Sequence, residues 1–117
     1  MFNCSDRLHN VRTPQPSFIA CEELLWLKAD GSETRLVARL GLPYLSDEDI
    51  YRCPVELTGL DGRYSDMAGM SSMQALCLAS KLLMTRLTHL LETGERLVHL
   101  EDRSPWDAAS LAAVFGQ

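Results

Sequence analysis

The chain has 117 residues, 46% of them hydrophobic and 23% charged, with a formal charge of −5. This is enough apolar material for one core and too little for two independent domains. The negative balance argues against a nucleic-acid binder, which needs a basic face for the phosphates, and makes any charge-steered partner a basic one.

Residues 1–17 contain no apolar run of the kind a signal peptide needs, and nowhere do eighteen apolar residues follow one another, so neither export nor membrane spanning is expected and the location reads as cytoplasmic. Thr13-Pro14-Gln15-Pro16 cannot continue a helix. Residues 1–17 therefore read as a flexible N-terminal arm, and residues 18–117 as a single α+β domain.

From Phe18 to Lys28 the chain is rich in aromatic and aliphatic residues, and Ala29-Asp30-Gly31-Ser32 supplies the positive-φ positions of a tight hairpin. Leu36, Ala38, Leu40 and Leu42 then alternate with Arg35, Val37, Arg39 and Gly41, which predicts a strand with leucines on one face and arginines on the other. After a polar loop over residues 43–49, Tyr51, Cys53, Val55 and Leu57 resume the alternation as a third strand. Pro54 lacks an N–H and predicts that this strand lies at an edge or is bulged.

Gly59-Leu60-Asp61-Gly62 ends this meander, and a loop runs on to Ser71, which with Gln74 makes a capping box for a long helix. Met73, Leu76, Leu83, Leu87 and Leu90 define its buried stripe, widened by Leu78, Leu82, Met84 and Leu91, and Gly94 is placed to end it. Residues 96–100 read as a short fourth strand. Ser104-Pro105-Trp106-Asp107 reads as the start of a C-terminal helix, with Ser104 as cap, Pro105 at the first helical position, and Leu111, Val114 and Phe115 packing on the body. The fold expected is an antiparallel three-stranded meander packed on one long helix, followed by the fourth strand and the terminal helix.

Cys4, Cys21, Cys53 and Cys77 show neither a CxxC pair nor a zinc spacing, so four reduced thiols are expected, with Cys21, Cys53 and Cys77 in the core and Cys4 exposed on the arm. His9, His89 and His99 stand on different elements with no metal-pair spacing, and no phosphate loop or dinucleotide fingerprint is present. No catalytic residue, metal or cofactor is assigned. Two polar stretches remain as partner-binding candidates. Asp47, Glu48 and Asp49 form a compact negative cluster suited to a basic partner, and Asp61, Arg63, Tyr64 and Asp66 lie in the most polar loop before the long helix.

The run Tyr51-Arg52-Cys53-Pro54-Val55-Glu56-Leu57-Thr58-Gly59-Leu60, followed by Gly69-Met70-Ser71-Ser72-Met73-Gln74-Ala75-Leu76, resembles a family of small uncharacterised bacterial proteins. In that family a Cys-Pro strand ends in Gly-Leu and leads to a Ser-x-Gln-Ala-Leu helix. The resemblance implies a compact α+β domain and carries over no catalytic residue. In size and charge the chain is also similar to the immunity proteins that bacteria encode beside secreted toxins. The function expected is a non-enzymatic protein-binding module of the immunity type, inhibiting a basic toxin. The alternatives are a chaperone or adaptor for a secreted effector, and a small-ligand binder or enzyme using the 61–66 loop.

Overall fold

The computed structural model describes residues 11–116; Cys4, His9 and the first ten residues of the expected arm lie outside them. Two antiparallel sheets share one long helix. The main sheet has five strands among the described residues. Its centre is the long hairpin of β1 (Phe18–Leu27) and β2 (Glu33–Gly41), in register from Ala20 opposite Leu40 to Leu27 opposite Glu33. On the far side of β2 lie β5 (Val55–Thr58) and β6 (Gly62–Arg63), and β8 (Arg96–Val98) pairs with the last residues of β1. The expected β1-β2-β5 meander is present. Leu24, Leu36, Ala38, Val55 and Leu57 are buried, and the alternation that aligns them also turns Arg35 and Arg39 away from the core.

The third strand differs from its expected form. Residues 51–57 are not one strand: Pro54 divides them into β4 (Tyr51–Cys53) and β5, which belong to different sheets. β4 is the middle strand of a small sheet, between β3 (Tyr44–Leu45) and β7 (Met67–Gly69). Without an N–H, Pro54 cannot serve a ladder, so the chain changes sheets there. Its carbonyl still accepts from Gly41 N at 2.8 Å, which ties the crossing point to the end of β2. The stretch read as a loop over residues 59–70 likewise contains β6 and β7. Leu42 lies just past the end of β2 and is 55% exposed rather than on the leucine face.

The helix α1 (Ser72–Glu92) starts where Ser71 caps it, the Ser71 side chain accepting from Gln74 N at 3.1 Å. Gln74 returns the bond to Met70 N, one residue before the cap. At the other end Glu95 N bonds Leu90 O and Gly94 N bonds Leu91 O, with Gly94 at φ 89°, a Schellman ending that satisfies two late carbonyls. Leu83, Leu87 and Leu90 are buried as expected, but the first turns pack through Ala75 and Ala79, while Met73 is 68% exposed. The reason is proximity. A Cβ on Gly69 of β7 would stand 2.6 Å from Ala75 N, so the helix comes too close to the small sheet there for a large side chain.

The C-terminal segment begins later than its Pro105 suggests. His99 N bonds Ser104 O and Trp106 N bonds Leu97 O, so the chain folds back on β8 and Pro105 bridges to Val98. Trp106 is buried there with its ring stacked on His99 at 4.1 Å. Helix α2 (Ala108–Phe115) is capped by Asp107 through a reciprocal box with Ser110, in place of Ser104 and Pro105. Asp107 wins because its carboxylate accepts from Ser110 N while the Ser110 hydroxyl accepts from Asp107 N. Leu111 and Phe115 are buried and Val114 is 48% exposed, so two of the three expected contacts are made.

Candidate functional site

The most acidic surface feature is the turn between β3 and β4. Ser46 N and Ser46 Oγ both donate to Ile50 O, and Asp49 N donates to Ser46 O. Asp49 itself sits at φ 63°, a left-handed position that an aspartate tolerates better than most residues. This closes the turn and leaves Asp47, Glu48 and Asp49 exposed at its tip. Glu48 reaches back to Arg52 at 3.2 Å, whereas Asp47 and Asp49 have no ion-pair partner among the described residues. Leu42 and Leu45, on either side of Tyr44, are 55% and 54% exposed.

Arg52 connects this tip to the second candidate stretch. Its side chain is enclosed at the centre of the small sheet and donates to the backbone carbonyl of Asp66. The carboxylate of Asp66 is itself buried and accepts from Thr13 N at 2.8 Å, Tyr44 OH at 2.6 Å and Arg63 at 2.8 Å. Asp66 N donates to Val11 O, so part of the expected arm is tied to this hub. Glu48, Arg63 and Asp66 thus belong to one network of alternating charges, in which both Asp66 carboxylate oxygens are bonded while Nε of Arg52 and of Arg63 is buried without a partner among the described residues. Burial and the bond to Asp66 raise the Tyr44 phenol well above its ordinary range.

Asp61 and Tyr64 form a separate group over α1. Arg86 donates to Asp61 through Nε at 2.7 Å and Nη2 at 3.3 Å, and Tyr64 OH donates to the same carboxylate. The Arg86 guanidinium, more than the tyrosine hydroxyl, holds the Asp61 carboxyl below the usual carboxylate range, while burial pushes the Tyr64 phenol up. The charged and phenolic side chains of the 61–66 loop are therefore engaged within the fold. Arg52 and Tyr44, which the sequence reading passed over, join the two candidate stretches. Their signal was faint: an arginine alternating with Tyr51 and Cys53 looks like an outward-facing strand residue.

Among the described residues no group of three or more His, Cys, Asp or Glu side chains is arranged to hold a metal ion. Two cysteines depart from the expected core placement. Cys53 is buried and its thiol is pushed up to about 11 by burial, but Cys21 on β1 and Cys77 on α1 are exposed. Cys77 lies on the solvent side of the first helical turns, and Cys21 on the part of β1 that pairs with β2 but not with β8. An apolar groove of about 480 Å³ runs between α1 and the end of α2, lined by Leu40, Leu76, Cys77 and Phe115. No helix among the described residues is long and apolar enough to cross a membrane.

Compared with known proteins, residues 22–108 match a family model described as a domain of unknown function, DUF6968. The match covers the main hairpin from Glu22 on, the small sheet, α1 and the return strand β8. No curated protein and no solved structure matches the chain.

Proposed function

The chain belongs to the DUF6968 family, and on that premise we propose that it is a non-enzymatic protein-binding module whose contact surface is the acidic turn and its apolar flanks. The observation that carries this reading is the state of Asp47 and Asp49, exposed and unpaired beside exposed Leu42 and Leu45. An apolar centre with charges at its rim is the anatomy of a recognition surface, and the charges act chiefly on encounter. The other partner-binding residues have a supporting part: Glu48 joins the turn to Arg52, Asp66 and Arg63 clamp the sheet beneath it, and Asp61 with Tyr64 fixes the neighbouring loop to α1. The partner such a tip fits is basic, and an immunity-type inhibitor of a basic toxin is the narrowest form of the proposal. The groove beside Phe115 favours a second reading, an adaptor that holds an apolar segment of a secreted effector.

The test is a double charge reversal, Asp47→Lys with Asp49→Lys. Denaturant melts should move by no more than about 0.5 kcal/mol, because exposed loop charges contribute little stability. The association rate with a partner captured from the source cell should fall at least tenfold at low salt, and the difference should shrink as salt rises. An acidic partner, or equal association rates for the two proteins at low salt, would return the function to an open question.

A further inference from the structure

We propose that a second copy of this chain pairs with the open edge of β1, joining the main sheets of two protomers across a two-fold axis centred on Cys21. β2 covers one side of β1 along its length, but β8 covers the other only at Leu25, Trp26 and Leu27. On that side residues 18–24 have no strand neighbour among the described residues. The direction of the backbone groups follows from the turn. Lys28 N donates to Ser32 O and Lys28 O accepts from Gly31 N, so Lys28 faces β2. In an antiparallel ladder the facing alternates, so Glu22, Leu24 and Trp26 also face β2, while Leu25 and Leu27 face β8. Leu97, opposite Trp26, agrees: its carbonyl points away from β1, to Trp106 N. By the same alternation the N–H and C=O of Cys21 and Glu23 point out of the sheet, with no strand among the described residues to receive them.

An unpaired edge of this kind is a template for another strand, and charge selects the register. With Cys21 of one copy opposite Cys21 of the other, Ala20 stands opposite Glu22 and Ile19 opposite Glu23, so no two carboxylates stand directly opposite, and the two copies of Glu22 are no closer than diagonal neighbours. Moving the axis one residue forward puts Glu22 opposite Glu22, which is destabilising. Moving it one residue back draws the bulge between Phe18 and Ala20 towards the centre of the pairing. In the Cys21 register Leu24 lies opposite Phe18, and the next position, Leu25, is already held by Val98. The chain before it bends at Pro14 and Gln15, so the pairing fills the gap that β8 leaves. It would also cover Ile19 and Phe18, which are 56% and 37% exposed. A two-fold contact of this kind uses one patch on both copies. The edge lies across β2 from β5 and hence from the acidic turn, so this inference goes beyond the proposed partner surface and leaves that surface free.

The experiment combines light scattering after size exclusion with thiol cross-linking of the full chain. Hydrogen-bonded antiparallel pairs hold their Cα atoms about 5.5 Å apart, inside the range a disulfide or a short bis-maleimide can bridge. The protein should run as a dimer at about 50 µM, a concentration chosen for a weak to moderate contact. Mild oxidation should give a covalent dimer for the wild type, Cys4→Ser and Cys77→Ser, and none for Cys21→Ser. Cys21→Pro removes an outward N–H that has no strand partner among the described residues, so it should keep its circular dichroism spectrum and become a monomer. A monomeric wild type overturns the proposal, including one that adds an extended peptide to the same edge. Covalent dimers that persist in Cys21→Ser overturn it as well, and this result is readable even if the proline variant fails to fold.

Discussion

The two sheets of this molecule are held by different forces, although they share one helix and the chain crosses between them at Pro54 with only that residue intervening. The main sheet buries Leu24, Leu36, Ala38, Val55 and Leu57 against Leu83, Leu87 and other apolar residues of the core. The small sheet has the enclosed guanidinium of Arg52 at its centre and the buried carboxylate of Asp66 beside it. Apolar burial is non-directional and tolerates repacking, whereas a buried charge network is stable only while each member keeps its partners. The main sheet should therefore yield gradually to mutation, and the small one in larger steps.

The sharpest way to break this comparison is Asp66→Ala, which strips partners from Tyr44, Arg63 and Thr13 at once. Removing one member of a buried ionic group costs about 3–5 kcal/mol, and a urea melt should show a loss of that size. A loss under about 1 kcal/mol would mean that water replaces the carboxylate and that the small sheet is not held by charge. On the apolar side, Leu83→Ala and Leu87→Ala should each cost about 2–5 kcal/mol, with no dependence on salt. If both cost less than about 1 kcal/mol, that face of α1 is not core.

Tyr44→Phe is a gentler cut into the same hub, losing one hydrogen bond to a charged acceptor, and should cost about 1.5 kcal/mol. It has a pH signature. The folded-state phenols of Tyr44 and Tyr64 are raised, so their contribution is complete below the unfolded value of about 10 and is lost as pH rises above it. Phenolate absorbance should show late titration that Tyr44→Phe reduces, and an ordinary titration in the wild type would contradict the bonding described. The smallest effect is expected at Asp61, whose folded-state carboxyl is depressed mainly by Arg86. Its contribution is present above about pH 4 and disappears as pH falls through the lower folded-state value. Arg86→Met should flatten this acid limb by about 0.5 kcal/mol in melts taken between pH 2 and 5, since the pair is partly exposed.

The difference between the sheets also separates what was legible in the sequence from what was not. Period-two alternation read the faces of β2 and β5 up to Leu40, because the main sheet has one apolar and one wet side. The ends of α1 were legible at Ser71 and Gly94, since caps are local chemistry. The small sheet escaped because its strands are two or three residues long, too short for any period, and because its central residue is charged. Ser104 and Pro105 carried a strong local helix signal that lost to a tight return onto β8, where Ser104 O and Trp106 N are bonded to His99 N and Leu97 O. Of the candidate site, Asp47, Glu48 and Asp49 were legible as a surface cluster. The burial of Asp66 was not, because its partners include Thr13, 53 positions away.

The passage of the chain through Pro54 has a consequence for how this fold can change. β4 and β5 are separated by that one residue yet pair in different sheets, Tyr51, Arg52 and Cys53 with β7 and Val55, Glu56 and Leu57 with β2. In most proteins a deletion near a strand end is absorbed by a loop. Here there is no slack on either side, and a shift of one residue inverts the faces of whichever strand moves. Moving β5 would turn Glu56 into the core and Leu57 out of it; moving β4 would take Arg52 from its partners and leave Asp66 unanswered. Length at this joint is thus constrained more tightly than chemistry, and lineages of this fold should gain and lose residues at the Ala29–Ser32 turn and the acidic tip while the count between β4 and β5 stays fixed.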